Sequence, residues 1–368
     1  MDNNKRHPRF EAAVALLRTL IATPSPSREE EKTAGIWHEW LLSQGVCDVE
    51  RFHNNVWAVA PGFNPARPTL MLNSHHDTVR PAASWTRNPF SPDIEDGKLF
   101  GLGSNDAGAS GVALASTFLD LMNDPDLPFN LILAITAAEE VMGENGMRAF
   151  LPHLAERGLT PDMVLVGEPT GLQPAVAERG LLVFDAIAEG KAGHAARNEG
   201  INAIYRAIED IELLRSFSTP VVSDVLGPVK VSVTMINAGT QHNVVPDKCT
   251  YVVDVRTTDA YSNEETVKLI RECVRWSTLT PRSTRVHASV IPESHPLVKS
   301  AVALGRTPFV SPTTSDMALM HGIHSLKMGP GESSRSHTAD EFILLDEINE
   351  ALFLYPRLLK GLRMKDKG

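Results

Sequence analysis

Four short apolar runs constrain this chain most: TLMLN (69–73), NLILAIT (130–136), MVLVG (163–167) and HSLKMG (324–329). None alternates apolar with polar residues, so neither face of such a strand is expected to meet water. Runs of this kind, separated by helical segments, are the mark of parallel strands covered on both faces. The helical segments are present. Residues 8–22 carry Phe10, Val14, Leu17 and Ile21 at helical spacing. SREE then supplies Ser27 as N-cap with Glu30 three residues on, a capping box that opens a helix running to Gly45 at C′. Further helices are expected at GASGVALASTFLDLM (108–122) and DEINEALFLYPRLLK (346–360). Together these make an α/β layer.

The middle of the chain follows another pattern. GLLVFDAIAEG reads as a strand, INAIYRAIEDIELLRSF as a helix, and VKVSVTMINAG and CTYVVDVRTT as two alternating strands. SNEETVKLIRECVRW is a helix with its own capping box, Ser262 and Glu265, and RVHASVIPES is a last strand. The order β-α-β-β-α-β is the ferredoxin-like unit. It spans roughly 173–290 and interrupts the α/β domain, and a chain of 368 residues has room for both.

Bulk properties exclude several classes. A formal charge of −10 argues against an extended basic surface for nucleic acid. No run approaches the ~20 apolar residues that span a bilayer, and the N-terminus does not read as a signal peptide. Cys47, Cys249 and Cys273 are odd in number and far apart, which suits a reducing, cytoplasmic setting and neither a disulfide framework nor a cysteine zinc site. GLGSNDAG is glycine-rich but lacks the lysine of a phosphate-binding loop.

In open parallel sheets the site lies beyond the carboxyl ends of the strands. After TLMLN come His75, His76 and Asp77; after NLILAIT come Glu139 and Glu140; after MVLVG comes Glu168; after HSLKMG comes His337. Asp106 stands just before the 108–122 helix. Each has an ordinary use: Asp106 as a helix N-cap, Glu139 and Glu140 as a solvated pair, His337 as a surface residue. That all fall at one edge of one sheet argues for chemistry instead. Two histidines and three carboxylates suit two divalent ions ~3.5–4 Å apart, with one carboxylate bridging.

The strings SHHDTV, GLGSNDAGASG, TAAEEVMGENG, VGEPT, GKAGHAA, GINAI, NVVPDKCTYVVDVR and GPGESSRSHTADEF, in this order, resemble the M20 metallopeptidase family. That family includes acetylornithine deacetylases, succinyl-diaminopimelate desuccinylases and aminoacylases. The resemblance implies a zinc-exopeptidase-type catalytic domain (1–172 and 291–368), α/β with a mixed, largely parallel sheet. A ferredoxin-like α+β lid and dimerisation domain (173–290) would interrupt it.

By the same resemblance, His75 and Glu168 would hold one zinc, Glu140 and His337 the other, and Asp106 would bridge them. Co2+ or Mn2+ would also suit the set. Asp77 would orient the imidazole of His75, and His76 would be a bystander. Glu139 would be the general acid/base and His194 an oxyanion donor, often supplied by a partner subunit. Asn243, Arg256 and Gly329 would meet the substrate, with residues 313–316 also near it. Arg256 either clamps a substrate carboxylate or pairs internally with Asp254.

The implied reaction is deacylation of a small N-acyl amino acid by a cytoplasmic homodimer without nucleic-acid or membrane partners. N-acetylornithine, or acetylcitrulline or succinylornithine, in arginine biosynthesis leads. Succinyl-diaminopimelate, a dipeptide or another acylamino acid, and a catalytically silent binding protein, are the alternatives. One segment departs from the family pattern: many members carry Lys-Gly after the bridging aspartate, where this chain has Ala107 and Gly108.

Overall fold

The computed structural model describes residues 5–197 and 199–362. Two compact units emerge: residues 1–176, 291–309 and 315–368, and residues 177–290 with 310–314. The first boundary thus falls at 176/177 rather than 172/173, and a five-residue segment near the C-terminal end joins the second unit.

In the first unit the four apolar runs are four adjacent parallel strands. Asn130–Thr136 pairs with Thr69–His75, which pairs with Met163–Val166, which pairs with His324–Lys327. Antiparallel strands flank them: Asn55–Val59 and Val49–Phe52 on one side, Ala175–Glu178 on the other. The fold is therefore α/β with a mixed, largely parallel sheet.

Side-chain alternation splits the core into two layers. Leu70, Leu72, Leu131, Leu133, Leu165 and Leu326 face the helices Phe10–Ile21, Ala109–Leu121 and Leu345–Lys360. Met71, Ile132, Ala134, Val164 and Val166 face the helix Met147–Glu156. Both faces are buried, which is why the runs are apolar throughout. The helix Ala109–Leu121 is buried at every position but Asp120, and its alanines, serines and glycine let it approach the sheet closely. No helix among the described residues is long and apolar enough to cross a membrane.

The second helix corrects one expectation. It runs Glu31–Ser43, and Ser27 does not cap it. The Ser27 hydroxyl donates instead to Asp77 Oδ2 at 2.7 Å. Glu30 accepts from the Ala138 N–H at 3.1 Å and from the Asn54 amide at 3.0 Å. Tertiary partners have taken over groups that local spacing assigned to a cap. Gly45 follows the helix in the left-handed region, φ +84, as a C′ residue does.

The helix Pro296–Ala303 is not foreseen by apolar spacing. His295 opens it, its Nδ1 accepting the Leu297 N–H at 3.3 Å, with Pro296 in the first turn. Burial, and then the His324 ring 5.0 Å away, push His295 down to about 4. A histidine with a lowered folded-state pKa stabilises fully above its unfolded value of 6.5, and that contribution is lost as pH falls through about 4. His295→Asn keeps a capping acceptor and cannot charge. Its urea midpoint is expected to fall less than that of the parent chain between pH 6.5 and 4, and equal falls would contradict this assignment.

The second unit is a four-stranded antiparallel sheet, ordered Lys230–Ala238, Lys248–Thr257, Gly180–Glu189, Ser277–Pro281. The helices Ala203–Arg215 and Asn263–Cys273 cover Leu182, Phe184, Ala186 and Ala188. This is the ferredoxin-like order. The capping box of Ser262 and Glu265 is present. The last strand is not RVHASVIPES, of which only Ser289–Val290 forms a strand, pairing with Ala177 and Glu178. The fourth strand is Ser277–Pro281, started by buried Asp210, whose carboxylate accepts the N–H groups of Arg275, Trp276 and Ser277.

Candidate metal centre

His75 ends its strand opposite Thr136, the last residue of the neighbouring parallel strand. The chain beyond Thr136 turns sharply, with Ala138 in the left-handed region at φ +57, into the short helical turn Glu139–Val141. A non-glycine residue held there is strained, and surrounding contacts must fix it. They do: the Asp77 carboxylate accepts the Glu139 N–H at 3.0 Å and the Glu140 N–H at 3.2 Å, and Glu30 accepts that of Ala138. Asp77 therefore acts chiefly on the acidic pair. The His75 ring is oriented by the Asp77 backbone carbonyl, 3.0 Å from Nδ1, while the Asp77 carboxylate stands 3.5 Å away. That leaves His75 Nε2 facing the site.

Two clusters form around Asp106. His75 Nε2 lies 3.2 Å from Asp106 Oδ1 and 3.6 Å from Glu168 Oε1. His337 Nε2 lies 3.6 Å from Asp106 Oδ2 and 2.9 Å from Glu140 Oε2. Within each cluster the donor atoms lie within 4.8 Å of one another. Donors on a tetrahedral zinc at ~2.0–2.1 Å stand about 3.3 Å apart. The spacing fits, and each cluster offers three donors, which leaves a coordination position open. The two Asp106 oxygens address different clusters, the arrangement a bridge requires. Glu139 places a carboxylate oxygen within 4.8 Å of donor atoms on His75 and Glu140.

The electrostatics agree with cation binding. Asp77, Asp106, Glu139, Glu140, Glu168 and Glu341 converge on two imidazoles and the buried Lys327. Burial pushes Glu168 up to about 8, and the Asp106 and Glu140 charges add to the rise while His75 and Lys327 oppose it. Glu140 bonds His337 and raises it to about 9, against burial. Burial works against a charged His75, but Asp106 and Asp77 outweigh it and hold its pKa well above the ordinary value. Cations bound to such donors would compete with protons for them. Glu139 is also held well above the usual carboxylate range, first by burial and then by Glu168, Asp316 and Glu140.

Other residues singled out from the sequence lie as follows. His76 is buried and bonded on both nitrogens, to Thr33 Oγ1 and to the Asn54 carbonyl, each at 2.9 Å, and joins neither cluster. Gly329 lies against the backbone of Glu168. A Cβ there would stand 2.4 Å from Glu168 O and 2.3 Å from Ser110 Oγ. Gly329→Ala is expected to cost about 1–3 kcal/mol in urea unfolding, as overpacking does, and wild-type stability would refute the close contact. Asp316 is buried and accepts from Thr136 Oγ1 at 2.8 Å, whereas Thr313 and Thr314 belong to the second unit.

In the second unit, His194 and Asn243 come together. Gly193–His194 pairs with Val244–Val245, and the Asn243 carbonyl accepts the Ala195 N–H at 3.1 Å. His194 is exposed. Arg256 pairs with Asp254 through two hydrogen bonds of 2.8 and 3.2 Å.

Sequence reasoning assigned no role to Glu341 or Asn105. Glu341 accepts three backbone N–H groups around Asp106, and burial, then the Asp106 charge, push it up to about 8. Asn105 exchanges hydrogen bonds with the Glu332 backbone at 3.0 and 3.1 Å. Both contacts link segments more than two hundred residues apart, and no local spacing signals them.

The sequence model described as Peptidase family M20/M25/M40 matches residues 71–361. Curated relatives include a succinyl-diaminopimelate desuccinylase of Dinoroseobacter shibae, 28% identical over 373 residues, covering 94% of this chain and 98% of the relative. An acetylornithine deacetylase of Edwardsiella ictaluri is 28% identical over 394 residues, covering 97% and 98%. Among solved structures, aminopeptidase PepT of Bacillus cereus matches with TM-score 0.76 at 20% identity, covering 96% of this chain and 98% of that one. A dinuclear metal-binding peptidase of the M20 family from Bacillus subtilis matches with TM-score 0.71 at 17% identity, covering 95% and 97%. These two structures bear on the fold alone.

Proposed function

This chain belongs to peptidase family M20/M25/M40 and is a metal-dependent hydrolase, and we propose that it uses two cations to remove the acyl group from an N-acyl amino acid. The sharing of Asp106 between two donor clusters beside Glu139 carries the reading. The relatives named for succinyl-diaminopimelate and for acetylornithine, matched at the same 28% identity, support the substrate class. Each frees an amino group of a diamino acid. N-acetylornithine, with acetylcitrulline and succinylornithine, heads the candidates and would place the enzyme in arginine biosynthesis; succinyl-diaminopimelate is the alternative.

His75, Glu168 and Asp106 would hold one cation, and His337, Glu140 and Asp106 the other. Zinc is the proposed occupant, since the donors are imidazole nitrogen and carboxylate oxygen. Bound there, the cations would acidify water and polarise the scissile carbonyl. Glu139 takes the proton from the attacking water and delivers it to the leaving nitrogen, so that the amine departs neutral. Asp77 fixes the turn that aims Glu139. His194 serves as the oxyanion donor and Asn243, beside it, as a substrate contact. Gly329 lines the pocket next to Glu168. Arg256 meets the substrate carboxylate only by giving up bonds to Asp254.

A homodimer through the second unit is part of the proposal. Lys230–Ala238 is an edge strand, with Met235 66% and Ile236 55% exposed, and Tyr205 on the unit's first helix is 67% exposed. A cytoplasmic location is proposed from cysteine usage.

A panel of N-acetyl and N-succinyl forms of ornithine, citrulline and diaminopimelate, with simple dipeptides, tests the substrate class. The zinc-loaded protein is expected to show its highest kcat/KM on one of the acyl amino acids. A preference for dipeptides, or no turnover of any member, would overturn it.

A further inference from the structure

The two segments that carry Asp106 and His337 are distant in sequence, and one buried carboxylate joins them. Glu341, four residues beyond His337, is 2% exposed. Its Oε1 accepts the N–H of Asn105 at 2.8 Å and of Asp106 at 3.0 Å, and its Oε2 accepts that of Gly103 at 3.2 Å. Successive N–H groups turned to one side make a concavity that takes an anion. Gly103 permits it, with φ +77. The Gly101 N–H also donates to the Glu341 backbone carbonyl at 2.9 Å. Next to it, Asp340 accepts from the Thr86 and Arg87 N–H groups at 3.0 and 2.9 Å, so the same dipeptide pins a further loop.

We propose that Glu341 is a positioning residue for the metal centre: its carboxylate, clamped on the N–H of Asp106 itself, sets that side chain between the two donor clusters. It bonds the backbone of Asp106 rather than a donor atom of either cluster, and it is not a catalytic residue. A plain structural staple would hold the loop without regard to metal. Clamping of the bridging residue's own amide, from the segment that also bears His337, makes both cation sites depend on one carboxylate. Glu341→Gln keeps the shape but offers one acceptor oxygen to three N–H groups, and its amide NH2 faces donors.

The inference rests on the two-metal reading above. Zinc titration of the metal-free full chain, followed by calorimetry and metal analysis, is the test. Glu341→Gln is expected to weaken zinc binding by about 10–100-fold, the usual effect of losing an outer partner of a metal ligand. Turnover should recover as zinc is raised, with KM little changed. Should Glu341→Gln fail to fold, the same titration on Glu341→Asp decides. Wild-type affinity in the variant that folds, or lost turnover that no amount of zinc restores, would overturn the inference. A wild-type chain that binds no zinc would instead overturn the two-metal reading itself.

Discussion

Glu139→Gln is expected to lower kcat by about 10²–10⁴-fold, the range a positioned general acid/base supplies, with metal content unchanged. The substitution preserves volume and removes the ability to carry a proton, together with the charge. Its backbone N–H would still bond Asp77, so the turn should persist. The side chain is buried beside His75 and Glu140 but belongs to neither of the clusters built on Asp106, so uptake of two cations should survive. The raised pKa of Glu139 has burial as its first cause, and an uncharged amide tolerates that environment at least as well. Thermal stability of the metal-free variant should therefore equal or exceed that of the parent. Steady-state kinetics with metal analysis on the same sample check all three points. A variant with full turnover would remove Glu139 from the reaction.

Asp106→Ala is expected to lower activity to background and to reduce bound zinc from two ions to at most one, weakly held. The aspartate is the one residue that enters both clusters, through Oδ1 toward His75 and Oδ2 toward His337. Truncating it leaves His75 with Glu168, and His337 with Glu140, as two-donor fragments. Loss of a direct ligand should cost at least the ~10–100-fold that loss of an outer partner costs. Metal analysis after dialysis against trace zinc decides the matter. Two tightly held ions in the variant would show that the clusters do not share a bridge.

The sheet was legible because burial on both faces leaves a direct trace: strands that meet only apolar neighbours have no reason to alternate. The candidate donor positions were legible for a related reason. Once the strands are placed, their carboxyl ends are placed, and the polar residues just beyond them share one edge. What escaped was held by single long-range contacts. Ser27 has the spacing of a cap, yet its hydroxyl goes to Asp77, 50 residues away. The fourth strand of the second unit buries only Leu279 and ends in Pro281, so no periodicity announces it. It sits at a sheet edge, where a proline costs little, and Asp210 of a preceding helix starts it. Glu341 looks like either of the two acids in TADEF, and what sets it apart is its bonding to N–H groups 235 to 238 positions earlier. Arg256 with Asp254 was ambiguous, because residues two apart on a strand share a face and suit either an internal pair or a common ligand.

The main stretch of the second unit, 177–290, begins and ends side by side: Glu178, near its start, pairs across a ladder with Ser289, near its finish, and residues 310–314 join the unit separately. Entry and exit through adjacent strands make the intervening stretch a cassette. Such a cassette can change in length between its two ends without re-threading the host strands on either side.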